Sequence, residues 1–254
     1  MLPGAERLNA LVVGAGQGIG LGFVQALLAD TRVRRIYATY RRSESAGELL
    51  ALAGEQGERL SCLRLDVTEE EQIGEAFRTI SGEVKSLDLA LYCVGVLHEG
   101  EMQPEKSLSQ LNSENLLRSF AVNSVGAALV AKHLKPLLRR DSPSIFASIS
   151  AKVGSIGDNR LGGWYGYRAS KAALNMLVKT IAIEYGRSHP AAIVVALHPG
   201  TTDTRLSKPF QANVPEEQLF PVERTVELLL GVMAKLEPSD SGGFFSWNGS
   251  RLPW

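Results

Sequence analysis

Leu8-Asn9-Ala10-Leu11-Val12-Val13-Gly14-Ala15-Gly16-Gln17-Gly18-Ile19-Gly20-Leu21-Gly22-Phe23-Val24 sets the reading of the whole chain. A short apolar, β-branched run leads into a glycine-rich turn, and an apolar helix follows at once. The commoner pattern GxGxxG fails, because its third glycine counted from Gly14 falls on Ile19. GxxxGxG fits, through Gly14, Gly18 and Gly20. Such glycines permit a tight turn, close approach of backbone to a pyrophosphate, and close packing of helix on strand, with the phosphates at the helix N-terminus. An ordinary glycine-rich turn would read the same in isolation; its place between a first strand and a first helix favours dinucleotide binding. The loop residues expected to line the cofactor are Gly14, Gln17, Gly18, Ile19 and Gly20.

The next strand ends in Tyr40-Arg41-Arg42. An acid at that point would accept from the adenosine 2′-hydroxyl, and none is present. Guanidinium groups suit a 2′-phosphate, so Tyr40 and Arg41 point to NADP(H) rather than NAD.

Farther along, Ala10–Val13, Ile36–Tyr40, Leu60–Leu65, Leu87–Val94, Ser144–Ser150, Ile193–His198 and Phe244–Trp247 read as strands. Helical patterns over Gly18–Leu28, Glu69–Ile80 (with Thr68 as N-cap), Glu114–Leu138, Tyr165–Arg187 and Val222–Leu236 alternate with them. Continuous rather than alternating hydrophobicity in the strands implies a parallel sheet covered on both faces. The expectation is a single doubly wound α/β domain, a Rossmann fold with a seven-stranded sheet. No linker or repeat divides it. The irregular stretch 201–221, with Pro209 and Pro215, is expected to be a substrate lid.

The chain has 254 residues, with 27 basic and 27 acidic side chains. That balance leaves no electrostatic footprint for nucleic acid or an anionic membrane. The uncharged run Leu8–Ala29 is interrupted by the glycine turn, and no secretory succession opens the chain, so a cytoplasmic protein is expected. Cys62 and Cys93 lack metal or disulfide spacing and read as buried structural thiols, and the four histidines are scattered, so no metal is expected.

In Tyr165-Gly166-Tyr167-Arg168-Ala169-Ser170-Lys171, Tyr167 and Lys171 are four apart and share a helix face. A phenol with a pKa of about 10 is a poor base at neutral pH, and a nearby ammonium favours its ionised form. Tyr165 lies six residues before Lys171, almost opposite on a helix, so Tyr167 is the better partner.

Taken in order, GxxxGxG, Leu65-Asp66-Val67, Val122-Asn123-Ser124-Val125-Gly126, Tyr167-x-x-x-Lys171 and Pro199-Gly200-x-x-x-Thr204 resemble the short-chain dehydrogenase/reductase superfamily. Gly154-Ser155-Ile156-Gly157-Asp158-Asn159-Arg160, followed by Gly162-Gly163-Trp164-Tyr165, resembles its C-factor and sniffer-like carbonyl reductase branch. The resemblance implies that Asp66 and Val67 flank the adenine, that Asn123 supports a water in a proton relay, and that Lys171 binds the nicotinamide ribose while tuning Tyr167. It adds Gly95, Pro199, Gly200 and Thr204 to the cofactor contacts. It implies further that matching helices pack across a two-fold axis, giving a homodimer or homotetramer.

Three departures stand out. Tyr92-Cys93-Val94-Gly95 replaces an asparagine-containing turn, and Val13 stands where relatives often have threonine. Ala151 occupies the usual slot of the serine that polarises the substrate. Ser150 is the candidate replacement, with Ser155 behind it, although alternation along a strand turns Ser150 to the opposite face unless the strand end bulges. The expected function is reversible hydride transfer between NADPH and a ketone or aldehyde, with Tyr167 the proton donor, Ser150 the polarising group, and Lys171 and Asn123 in support. The competing reading is a nucleotide-binding signalling protein of C-factor type.

Overall fold

The glycine turn joins β1 (Leu8–Val13) to α1 (Gly18–Ala29) in the structure, a computed structural model that describes residues 7–212 and 214–254. There follow β2 (Val33–Tyr40), α2 (Gly47–Gln56), β3 (Leu60–Arg64), α3 (Glu70–Glu83) and β4 (Leu89–Tyr92). Next come α4 (Ser113–Phe120), a π-helical turn (Ala121–Val125), α5 (Gly126–Leu134), β5 (Ser144–Ile149), α6 (Tyr165–Ser188) and β6 (Ala192–His198). The short strands β7 (Thr201–Thr202) and β8 (Leu219–Phe220), helix α7 (Val222–Met233) and strand β9 (Phe244–Ser246) complete it.

Seven strands form one parallel sheet in the order β3-β2-β1-β4-β5-β6-β9. The order reverses at β1 and β4, which is where an open α/β sheet leaves a crevice beyond its carboxyl ends. The continuous hydrophobicity of the strands is resolved residue by residue. Ala10 and Val12 of β1 face a core with Phe23, Val24 and Leu27 of α1 and Val226 and Leu229 of α7. Leu11 and Val13 face the other core, with Ile73, Phe77 and Ile80 of α3, Val130 of α5, and Leu174 and Val178 of α6. Both faces are covered, so both sets of alternating side chains must be apolar.

One helix is added and three local expectations are corrected. Helix α2 carries too weak an apolar pattern to be read from the sequence, since Leu49 is its single buried residue. Thr68 does not cap α3; Asp66 Oδ1 instead accepts from the Thr68 amide at 3.0 Å and from its hydroxyl at 2.8 Å, which folds an Asx turn ahead of the helix. The single helix expected over 114–138 is three pieces, capped by the Asn112 side chain and broken by the π turn. Stretch 201–221 is less irregular than its prolines suggest, because β7 and β8 pair and bring its two ends together.

Both cysteines are free and half-buried rather than fully enclosed. Among the described residues no helix is long and apolar enough to cross a membrane, and no group of three His, Cys, Asp or Glu is placed to hold a metal ion.

Candidate active site

The π turn holds Asn123 fully buried. Its amide Nδ2 donates to the Val96 carbonyl and to Ser170 Oγ, both at 2.9 Å, and its Oδ1 accepts from the Val96 amide at 2.7 Å. One side chain thus ties the loop after β4 to α6, the job that the missing asparagine turn would otherwise share. Tyr92 secures the turn from beneath, donating from its hydroxyl to the Val122 carbonyl at 2.7 Å. The missing threonine at position 13 is also answered from elsewhere: Thr39 Oγ1 on β2 accepts from the Gly14 amide at 3.1 Å.

Lys171 Nζ donates to the Ile149 carbonyl at 2.9 Å and lies 5.8 Å from the centre of the Tyr167 ring. Burial pushes the Tyr167 phenol up to about 12. Burial pulls Lys171 down to about 8, with Cys93 opposing. Gly95 keeps this corner open, since a Cβ there would lie 3.5 Å from Lys171 Nζ and 3.6 Å from Asn123 Oδ1. Tyr165, by contrast, is 36% exposed and outside this arrangement.

The register of β5 and β6 runs without a bulge from Ser144 to Ile149, so Ser150 turns toward α6. Its hydroxyl is buried and donates to Asn175 Oδ1 at 2.6 Å. The expectation that Ser150 presents its proton to substrate therefore meets a hydroxyl already engaged with α6. Ser155 is also buried, accepting from the Asp158 amide at 3.2 Å.

At the opposite end of the crevice, Gln17 opens α1 with no side-chain cap, and no acid lies in the first turn. The amides there are left for an anion. Gly14 and Gly18 have φ of 84° and 57°, conformations that favour glycine. Thr204 closes over this turn: a Cβ on Gly18 would lie 3.3 Å from Thr204 Cγ2. Gly200, after Pro199, has φ of 77° and sits under the Phe220 ring, whereas Ile19 and Tyr40 pack partly against the core.

A cleft of about 380 Å³ lies beside the end of β2, lined by Arg41, Arg42, Arg64, Asp66, Glu69, Gln72 and Arg118. Glu99 reaches across from the loop after β4 to pair with Arg41, Arg42 and Arg118. Burial raises the Glu99 carboxyl, but Arg41 and Arg118 outweigh it and hold it below its ordinary value. Burial likewise opposes, and the Thr68 hydrogen bonds with Arg41 and Arg118 overcome, so that Asp66 too is lowered. Val67 is buried against Gly126. The turn and cleft fit a dinucleotide: uncapped amides for the pyrophosphate, and arginines without a competing acid from β2.

Arg118, Glu99, Asn175 and Glu105 escaped the sequence reading. Glu99 meets Arg41 across 58 residues and Glu105 meets Gly166 across 61, separations over which spacing carries no signal.

The short chain dehydrogenase family profile matches residues 8–215. The chain belongs to that family and is an oxidoreductase of the short-chain dehydrogenase/reductase type. It is similar to an uncharacterised oxidoreductase of Schizosaccharomyces pombe, 26% identical with 96% of each chain covered. It also resembles the C-signal of Myxococcus xanthus, 32% identical over 58% of this chain and 84% of that one. Among solved structures, an NADPH-bound carbonyl reductase from chicken fatty liver superimposes with a TM-score of 0.87 at 29% identity, covering 98% of this chain and 100% of that one. Carbonyl reductase Sniffer of D. melanogaster does so with a TM-score of 0.85 at 25% identity and the same coverage.

Proposed function

We propose that this chain is an NADP(H)-dependent carbonyl reductase that converts a ketone or aldehyde to an alcohol. The observation that carries the reading is Tyr167 and Lys171 beside the open corner at Gly95, together with a cleft at the end of β2 lined by four arginines. The likeness to an NADPH-bound carbonyl reductase supports it. Gly14, Gln17, Gly18, Ile19 and Gly20 take the pyrophosphate; Tyr40 and Arg41, joined by Arg118, take the 2′-phosphate end; Asp66 and Val67 border the adenine; Gly95, Pro199, Gly200 and Thr204 line the nicotinamide end. The bound dinucleotide supplies the hydride.

Tyr167 gives its proton to the developing alkoxide, and the Lys171 ammonium favours the phenolate left behind. Asn123 fixes the loop and helix that hold them and supports the relay that restores the proton. Ser150 contributes a second donor only if its hydroxyl exchanges Asn175 for substrate. Stretch 201–221 is the lid: Phe210 packs edge-on against Trp164 at 5.0 Å and against His98 at 5.9 Å.

Self-association belongs to the same reading, since Leu117, Val125, Met176 and Ile183 are 70%, 47%, 67% and 52% exposed on α4, the π turn and α6. Sedimentation as a 27.4 kDa species alone would count against it. A cytoplasmic location is part of the proposal and is open to cell fractionation.

The deciding experiment is NADPH oxidation against a panel of ketones, aldehydes and quinones, with Tyr167→Phe alongside. Turnover that vanishes in the variant while NADPH binding survives supports the mechanism. Wild-type rates in the variant overturn it and favour the signalling reading, to which Ala151 and the likeness to C-signal lend some weight.

A further inference from the structure

Helix α6 carries Tyr167 and Lys171, yet it begins without a cap of its own. Trp164 is its N-cap residue, makes no side-chain capping bond, and no acid occupies the first turn. The chain also enters the helix by an unusual route: Gly162, Gly163 and Trp164 all have positive φ, at 64°, 64° and 51°. Trp164 is the single non-glycine residue of this kind among those described, and its ψ of 45° completes a left-handed conformation that a bulky side chain disfavours. Such a conformation persists only where surrounding contacts impose it.

Arg168 Nε donates to the Gly162 and Gly163 carbonyls at 3.1 and 3.0 Å, and two further contacts come from Glu105, in the loop between β4 and α4, which is 7% exposed. Its main-chain carbonyl accepts from the Trp164 amide at 2.5 Å. Its carboxylate Oε2 accepts from the Gly166 amide at 3.1 Å, on the residue immediately before Tyr167. An anion placed at the first-turn amides supplies both the missing acceptor and the charge that a helix N-terminus favours. Gly166 makes room for it, since a Cβ there would lie 3.0 Å from Glu105 Oε1. The Trp164 ring held in this way packs edge-on against Tyr167 at 6.3 Å and against Phe210 of the 201–221 stretch at 5.0 Å.

We propose that Glu105 is a positioning residue for Tyr167, acting as a long-range cap that fixes the start of α6 and holds Trp164 in its left-handed turn against the Tyr167 ring. The proposal rests on Tyr167 being the proton donor. Glu105 makes no contact with cofactor or substrate in this role, so its loss is felt in the placement of the phenol. A misplacement of about 1 Å at a reacting group is enough to cost on the order of 10²-fold in rate.

The test measures kcat, and NADPH affinity by fluorescence titration, for Glu105→Ala, Glu105→Gln and Gly166→Ala, with Tyr167→Phe as the control. Glu105→Ala is expected to lower kcat by roughly 10- to 100-fold with NADPH affinity within about 2-fold of wild type. Glu105→Gln, whose side-chain oxygen still accepts from the Gly166 amide, should recover most of the rate. Gly166→Ala, which crowds the carboxylate while leaving it in place, should lose rate as Glu105→Ala does, and it keeps the test open if Glu105→Ala does not fold.

An unchanged kcat in Glu105→Ala or a glutamine variant as poor as the alanine would each overturn the proposal. If Tyr167→Phe itself keeps full activity, the proton-donor reading fails first, and the control shows which of the two has fallen.

Discussion

Lys171 Nζ stands 5.8 Å from the centre of the Tyr167 ring, one helical turn along α6, and is anchored there by its bond to the Ile149 carbonyl. The pair carries opposite perturbations from one cause. Burial disfavours whichever form is charged, so it pushes the phenol up to about 12 and the ammonium down to about 8.

A pH profile follows with a definite sign. On the proposed mechanism, reduction uses the neutral phenol as donor, which is present throughout the neutral range, and the lysine cation to favour the emerging phenolate. Because Lys171 loses its proton above about 8, kcat/KM for reduction should be flat from pH 6 to near 8 and fall above it. Lys171→Met should be slow throughout and lack that limb. Initial rates of NADPH oxidation between pH 6 and 10 check this; a break near 8 that survives in the variant belongs to another group.

Cofactor choice should follow the arginines around Glu99. Arg41 and Arg118 pair with one carboxylate beside the end of β2, and on the proposed reading a 2′-phosphate brings two negative charges into their reach. Arg41→Asp is expected to weaken NADPH by roughly 10- to 100-fold, the value of one to two charge-assisted hydrogen bonds, and NADH by less than about 3-fold. Arg118→Ala should act in the same direction and more weakly. Fluorescence titration with both dinucleotides reads this directly, and equal losses for the two would remove the phosphate from the argument.

Ser150 offers a sharper contrast. Had its hydroxyl polarised the substrate, Ser150→Ala would cost on the order of 10²-fold in rate. Its proton is instead given to Asn175 on α6, whose Nδ2 is already buried without a partner. The expected outcome is a kcat within about 10-fold of wild type together with a stability loss of about 1–3 kcal/mol, because the variant leaves a buried amide wholly unsatisfied. Paired kinetics and urea unfolding separate the two; a 10²-fold fall in rate at unchanged stability would return the polarising role to Ser150.

The sheet was legible because both of its faces are covered. β1, β5 and β6 are apolar on both faces with Asn9, Ser144, Ser148 and His198 the exceptions, and that pattern needs no knowledge of the partners. The glycine turn and the Tyr167–Lys171 spacing were legible for the same reason, since each is local. What escaped is long-range or conformational. Asn123 could be singled out as polar in an apolar helix, but not its seat in a π turn, because the i→i+5 pattern leaves no compositional mark. Glu99 and Glu105 carry no local signal, and only the fold brings them to Arg41 and Gly166. Thr68 does not serve as a cap because Asp66, two residues earlier, accepts from both its amide and its hydroxyl.

Glycines in the helices make the last test, since the same substitution should act with opposite sign at two of them. Gly126 opens α5 directly after the π turn, and a Cβ there would lie 2.6 Å from Tyr92 Oη and 2.9 Å from Val67 Cβ. The Tyr92 hydroxyl cannot retreat without abandoning the buried Val122 carbonyl that it serves at 2.7 Å. Gly126→Ala is therefore expected to destabilise by about 2–4 kcal/mol, combining overpacking with an unsatisfied carbonyl. It should lower kcat as well, because the strained turn carries Asn123. Gly231 sits on the exposed face of α7, and a Cβ added there meets nothing within 4 Å. Gly231→Ala should stabilise by about 0.5–1 kcal/mol through helix propensity and a less flexible unfolded chain, with activity unchanged. Urea unfolding of the two variants beside wild type decides the matter: a neutral Gly126→Ala would show that Tyr92 and Val67 can yield, and that the π turn is held by something other than this contact.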